Sequence, residues 1–236
     1  MKIALIGYGK MGQMIASVAR DRGHEIVCII DHFVENANTA SPEVQSLFGD
    51  FDSDDFRSAD VAIEFTRPDA AEANVRAAIA QGVPVVSGTT GWLAATLQTE
   101  LKGKDHPGII WSSNYSIGVN ILFAVNRYLA QLMHQAGNYR PSITEVHHVH
   151  KLDAPSGTAK SLAEQITADV PIESIREGEV PGIHEVRWES SADILSLRHE
   201  AKSRQGFAYG AVLAAEWLAG KQGWHQLNEV LGLPAL

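Results

Sequence analysis

The chain has 236 residues, 45% hydrophobic and 20% charged, with a formal net charge of −9. That length supports one large domain or two modest ones with an ordinary core, so no disulfide staple is needed; the single cysteine, Cys28, lies in an apolar run and is expected as a buried small hydrophobe. The acidic balance argues against nonspecific nucleic-acid binding, and no run approaches the ~20 apolar residues of a membrane span, so the expectation is a cytoplasmic protein with neither nucleic-acid nor membrane partner.

Residues 2–6 read as a buried strand, not a targeting segment, because the apolar run is short and leads into a glycine turn. Gly7-Tyr8-Gly9-Lys10-Met11-Gly12 follows. A helix is expected over 11–22, with Met14, Ile15, Val18 and Ala19 on one face, and a second strand over 25–30, closed by Asp31. Gly-x-Gly-x-x-Gly between strand and helix, with an acidic residue 19 positions after the last glycine, is the dinucleotide fingerprint. The glycines permit a tight turn, approach to a pyrophosphate and close helix packing, the helix start offers free N–H groups, and the acid accepts from the ribose diol. A carboxylate at Asp31 repels a 2′-phosphate, and His32 supplies no arginine, so NADH is preferred with NADPH tolerated.

Residues 35–58 read as a solvated acidic loop with one short helix. Alternation resumes with strands at 61–65, 83–87 and 108–112 and helices at 69–81 and 92–102, which implies a parallel sheet covered on both faces. Gly88-Thr89-Thr90 and Ser112-Ser113-Asn114-Tyr115 end two of these strands. In such sheets ligands lie across the carboxyl ends of the strands, so both turns are candidates to line a nicotinamide pocket.

From 119 the texture changes. A long helix spans 120–136, strand-like runs cover 142–149, 184–190 and 194–201, and a helix covers 156–168. Ser191-Ala192-Asp193 reads as a hairpin connection. Such runs suggest an antiparallel or mixed sheet, with Trp188, Ile194, Leu195 and Leu197 on a broad apolar face that assembly covers. The last helix, 207–218, is expected to return to the first domain. The fold class is therefore α/β: a Rossmann-like parallel-sheet domain, 1–115 completed by 205–236, plus a smaller α+β substrate and oligomerisation domain over 116–204. Cofactor and substrate would meet in the cleft between them.

The stretch 145–158 carries the chemistry. His147, His148, His150 and Lys151 fall within five positions, ahead of Ser156-Gly157-Thr158 at a helix start. Neighbours on a strand point to opposite faces, so the three histidines do not converge on one ion, and no metal is expected. Histidine titrates nearest neutrality, Lys151 donates a proton or holds a carboxylate, and the helix amides hold a second carboxylate. A small dicarboxylate with a reducible bond fits.

Over nearly its whole length the sequence closely resembles the 4-hydroxy-tetrahydrodipicolinate (dihydrodipicolinate) reductase family of lysine biosynthesis. Its landmarks are the glycine turn, Glu64-Phe65-Thr66-Arg67-Pro68, Gly88–Gly91, 114–120, and the signature Glu-x-His-His-x-x-Lys-x-Asp-Ala-Pro-Ser-Gly-Thr at 145–158, while Ser203-Arg204 and Phe207-Ala208-x-Gly210-Ala211 resemble the family's closing helix. The resemblance implies His147 as proton donor and acceptor and Lys151 as proton donor. It implies substrate binding by His148, Lys151, Gly157 and Thr158. Cofactor binding falls to Gly7 through Gly12, Asp31, Gly88, Thr89, Thr90, Ser112, Ser113, Asn114 and Tyr115. The reaction implied is reduction of the cyclic hydroxy-dicarboxylate by NADH or NADPH with loss of water, in a homotetramer. Many members have Gly-x-x-Gly-x-x-Gly and Glu-Arg where this chain has Asp31 and His32, which argues against strong NADPH use, and the stretch 169–184 is trimmed. Alternatives are another NAD(P)-dependent reductase of a small dicarboxylate, a nonenzymatic dinucleotide sensor, and a metal-dependent hydrolase.

Overall fold

The structure is a computed structural model that describes residues 1–32, 42–166 and 169–233. The chain divides into two compact units: Met1–Ser116 with Phe207–Gly232, and a second formed by Ile117–Gly206.

The first unit holds strands β1 (Lys2–Ile6), β2 (Glu25–Ile30), β3 (Val61–Glu64), β4 (Val85–Ser87), β5 (Ile109–Trp111) and β10 (Trp224–His225). They form one parallel sheet in the order β10-β5-β4-β3-β1-β2. A parallel sheet is covered on both faces, and the runs in β1 and β3 are accordingly apolar at almost every position. Ile3, Leu5 and Ile63 meet α1 (Lys10–Asp21) and α8 (Gln205–Leu218) on one face. Ala4, Ile6 and Ala62 meet α3 (Asp54–Arg57), α4 (Pro68–Ala80) and α5 (Ala94–Leu101) on the other. Burying each large aliphatic side chain contributes roughly 1.5–3 kcal/mol.

Within 35–58 the described part is not a solvated loop. It contains α2 (Pro42–Gln45) and α3, and Phe56 is fully buried. The acidic run misleads because Asp54 and Asp55 occupy the first turn of α3, where they complement the helix dipole, and Ser53 caps it by accepting from the Phe56 amide. The rest of that stretch, 33–41, lies outside the described residues. Beyond 218, β10 and α9 (Leu227–Val230) were not anticipated.

The second unit contains α6 (Ile117–Ala136), β6 (Arg140–His147), α7 (Gly157–Glu164), β7 (Ile172–Arg176), β8 (Ile183–Glu189) and β9 (Ile194–Glu200). Its mixed sheet runs β7-β6-β8-β9, with β6 and β7 parallel and the other pairs antiparallel. Ser190 and Asp193 close the expected hairpin between β8 and β9. The edge strand β7 escaped sequence reading because its large apolar residues, Ile172 and Ile175, are three apart and give no period-two signal. The inner face carries Ile143, Val186 and Trp188 against Leu122, Met133 and Leu162 of α6 and α7. Trp188 is therefore core, not part of an exposed apolar face, and Leu197 packs on the same core. Ile194 and Leu195 remain exposed. The expected helix over 156–168 is shorter as observed, and 167–168 lie outside the described residues.

Candidate active site

Two candidate sites emerge, one in each unit. In the first, the sheet order reverses between β1 and its neighbours β2 and β3, and the turns after these three strands line a cavity of about 390 Å³. Gly7, Gly9, Asp31, His32, Phe65, Thr66, Arg67 and Asn74 are among its walls. Gly7 has φ of +95°, and a Cβ there would lie 2.2 Å from the Phe65 carbonyl oxygen. A Cβ on Gly12 would lie 2.1 Å from the Gly7 oxygen, whereas one on Gly9 meets nothing within 4 Å. The turn is thus packed at its first and third glycines and open at the second, where a pyrophosphate would approach the start of α1. The residues present fit a dinucleotide. Asp31 sits at the end of β2, and its Oδ2 accepts from the Tyr8 amide at 2.6 Å, tying the acid to the glycine turn. Lys10 and Met11 open α1, Lys10 exposed and Met11 half-buried.

The turns after β3 and β4 are joined by Glu64, a fully buried carboxylate that sequence reading noted only as part of a landmark. It accepts from the Thr66 amide at 3.0 Å, the Thr66 hydroxyl, Ser87 Oγ at 2.6 Å and Thr89 Oγ1 at 2.7 Å. Gly88 lies against the Phe65 ring, and Thr90 is exposed beside it. After β5, Ser112 accepts from the Asn114 amide, Asn114 accepts from the Ser116 amide, and Ser113 is exposed. Tyr115 departs from expectation. Its ring is buried in the core and its hydroxyl donates to the Ser87 and Ile110 carbonyls, which leaves only its backbone for a ligand. Burial pushes its phenol well above the ordinary range.

In the second unit, strand alternation puts Glu145 and His147 on the same buried face of β6, and antiparallel register puts His184 of β8 opposite Glu145. Glu145 Oε2 lies 3.3 Å from His147 Nδ1 and 3.8 Å from His184 Nε2. Its Oε1 accepts from the Ser156 amide at 3.0 Å and from Arg176 of β7 at 3.3 Å. Burial alone would raise the Glu145 carboxyl, but hydrogen bonds from Ser156 and Ser174 and the nearby His147 together outweigh it and hold the group below its ordinary value. Burial lowers His147, with Glu145 opposing and Lys151 and Arg176 reinforcing. Burial, followed by His147, lowers His184 to about 4. The candidate ligand atoms of Glu145, His147 and His184 lie within 4.8 Å of one another, looser than the ~3.4 Å edges implied by tetrahedral zinc bonds.

The strand ends at His147, so the chain turns before His148. The His148 ring lies 6.0 Å from that of His150, while His147 lies 5.0 Å from His184. Lys151 Nζ donates to Asp153 at 2.6 Å, and this bond, ahead of a further one from the Gly157 backbone, lowers the Asp153 carboxyl. Ser156 caps α7, with Gly157 and Thr158 as its first residues. The structure therefore joins His147 to Glu145 and His184, and Lys151 to the start of α7, while His148 pairs with His150. Glu145 stood in the signature stretch and shares a strand face with His147. His184 and Arg176 gave no sequence signal, because cross-strand register is not written locally.

A parallel sheet with its order reversing at a glycine turn, closed by an acid on the next strand, is the architecture of the Rossmann-like dinucleotide-dependent oxidoreductases. The chain belongs to the dihydrodipicolinate reductase family. Residues 1–115 match the family's N-terminal domain and 118–231 its C-terminal domain. A 4-hydroxy-tetrahydrodipicolinate reductase of Christiangramia forsetii is 42% identical, covering 98% of each chain, and one of Ralstonia nicotianae is 35% identical over 99% of this chain and 100% of its own. Among solved structures, a dipicolinate-bound dihydrodipicolinate reductase from Paenisporosarcina sp. TG-14 shares the fold, with a TM-score of 0.75 at 22% identity over 97% of this chain and 98% of that one. The family implies a nicotinamide cofactor, and no helix among the described residues is long and apolar enough to cross a membrane.

Proposed function

We propose that the chain is a cytoplasmic 4-hydroxy-tetrahydrodipicolinate reductase. It reduces (2S,4S)-4-hydroxy-2,3,4,5-tetrahydrodipicolinate to 2,3,4,5-tetrahydrodipicolinate with loss of water, using NADH or NADPH, in the diaminopimelate route to lysine. The observation that carries this reading is the buried imidazole of His147, with a carboxylate oxygen 3.3 Å from its Nδ1, in the same unit as a lysine and a capped helix start. Full-length similarity to reductases of that name supports it.

When bound, the nicotinamide supplies the hydride. His147 and Lys151 supply and take up protons at the substrate. Lys151, His148 and the amides of Gly157 and Thr158 bind its carboxylates. That the Asp153 carboxylate already rests on Lys151 and the Gly157 backbone supports this spot as a carboxylate site. In the first unit, the glycine turn, Asp31, Gly88–Thr90 and Ser112–Tyr115 hold the dinucleotide, Tyr115 through its backbone.

The test is loss of NADH absorbance with freshly generated substrate. His147→Gln lowers kcat by about 10²–10⁴-fold with NADH binding nearly intact, and Lys151→Ala lowers kcat and raises KM. If both variants keep more than about half the parent kcat/KM, the assignment fails.

NADH is the preferred cofactor, because the Asp31 charge faces the ribose end. Arg67 lines the same cavity, but Asp69 lies 3.4 Å from its guanidinium, which softens its pull on a 2′-phosphate. Asp31→Ser combined with His32→Arg shifts preference towards NADPH. Parent protein binding NADPH more than about tenfold tighter than NADH contradicts this. The assembly is a homotetramer built through the outer face and edges of the β7-β6-β8-β9 sheet, where Ile175, Ile194 and Leu195 are exposed.

A further inference from the structure

Glu145 is completely buried, yet only one of its oxygens is well supplied. Oε1 takes the Ser156 amide and Arg176, whereas Oε2 has no hydrogen-bond donor in alignment and faces His147 Nδ1 at 3.3 Å, a buried nitrogen likewise without an aligned partner; the hydroxyl of Ser174, opposite Glu145 on β7, is the other donor that bears on this carboxylate. Leaving two such atoms unmatched in an interior is costly, and a proton lying between them relieves both. The other ring nitrogen, Nε2, lies beside Gly182: a Cβ there would come within 3.2 Å of it, and Gly182 has φ of +152°. Backbone without a side chain thus borders the Nε2 edge, while the carboxylate holds the Nδ1 edge. His184, directly across the strands from Glu145, keeps its own Nε2 near Ser156 Oγ at 3.3 Å and walls off the remaining side.

We propose that Glu145 is a positioning residue for His147: Oε2 holds the Nδ1–H, turns Nε2 to the substrate and stabilises the protonated ring. This rests on His147 being the proton-transfer group. In the step, the imidazolium gives its Nε2 proton to the substrate and becomes neutral, keeping Nδ1–H on the carboxylate. Glu145 neither gains nor loses a proton. The long contact tightens once substrate closes the site, as catalytic hydrogen bonds commonly do. The charged and titratable groups facing His147 are Glu145 on its own strand, His184 on β8, Arg176 on β7, and Lys151 and Asp153 in the following turn. Only Glu145 and Asp153 favour the charged ring, and Asp153 is committed to Lys151.

Glu145→Gln tests this, because the amide keeps the volume and the acceptor for Ser156 while removing the charge. The expected result is kcat at least about tenfold lower with KM and NADH Kd within about twofold. The alkaline limb of kcat/KM, which marks loss of the acid, moves about one unit or more to lower pH, since an opposite charge at this range raises a basic pKa by that much. Glu145→Asp restores part of the limb. Nitrogen NMR of the parent reports the ring independently of activity: neutral His147 carries its proton on Nδ1, and in Glu145→Gln its pKa falls. An Nε2–H tautomer in the parent, or a pH profile unchanged in Glu145→Gln, overturns the proposal even if a variant folds poorly. His147→Gln separates the two readings. If that variant stays active, the proton-transfer role itself is wrong. If it is inactive while Glu145→Gln matches the parent in rate and pH profile, only the role of Glu145 fails.

Discussion

At the glycine turn, three chemically identical residues meet different constraints. Gly12 is filled space: the backbone of Gly7 stands where its side chain would go. Gly9 is open, and its φ of −70° and ψ of −163° suit any residue. Gly12→Ala should therefore cost about 1–3 kcal/mol through overpacking, seen as a Tm several degrees lower. Gly9→Ala should leave Tm nearly unchanged but weaken NADH about tenfold, because its methyl occupies the place of the pyrophosphate. Equal Tm losses in the two variants would remove the distinction. Sequence spacing marked the turn as a candidate ligand site; only the coordinates separate the glycines that pack from the one that stays open. The same holds for Tyr115, whose position after a strand end was legible but whose ring faces the core.

Most elements could be read from periodicity because their apolar residues repeat in the helix or strand rhythm. Where the rhythm was missing, as in β7, or hidden by charge, as in α3, they could not. The pairing of β6 with β8 was hidden for another reason: register depends on two segments about 40 residues apart. That pairing makes the second unit acid-sensitive. Burial lowers His184 to about 4 from its ordinary 6.5, and lowers His147 and His199 as well. Between those values the unfolded chain binds protons that the folded chain refuses. The contribution of His184 is thus complete above pH 6.5 and lost as pH falls towards about 4. Glu145, with its lowered carboxyl, adds loss in the same direction at still lower pH. The urea midpoint should fall across this window, and His184→Gln should flatten the slope whatever its effect on the midpoint at neutral pH. Parallel curves for parent and variant would refute the account.

At the scale of the molecule, the alternation of strands and helices announced a parallel sheet, and the change of texture after 119 announced a second, mixed one. Strand order within each sheet was not legible, since nothing in one strand names its neighbour. The homotetramer proposed above predicts light scattering at micromolar concentration of four times the chain mass. It also predicts that Ile194→Lys with Leu195→Lys, on exposed positions of β9, lowers that mass while each subunit stays folded. A fully active monomeric parent would end the idea.

The first unit is assembled from both ends of the chain. Ala208, Ala211, Val212, Ala214, Ala215 and Leu218 of α8 complete the core beneath Ile3 and Leu5. On the ribosome these partners are made far apart in time: at about 5–20 residues per second, α8 follows β1 by roughly 10–40 s. The intervening Ile117–Gly206 stretch is continuous and can close its own core as it emerges. The middle of the chain is therefore finished before its beginning. Until α8 is made, the first sheet carries one apolar face that α1 covers only in part, a surface for chaperones to hold and the point at which a prematurely terminated chain would aggregate.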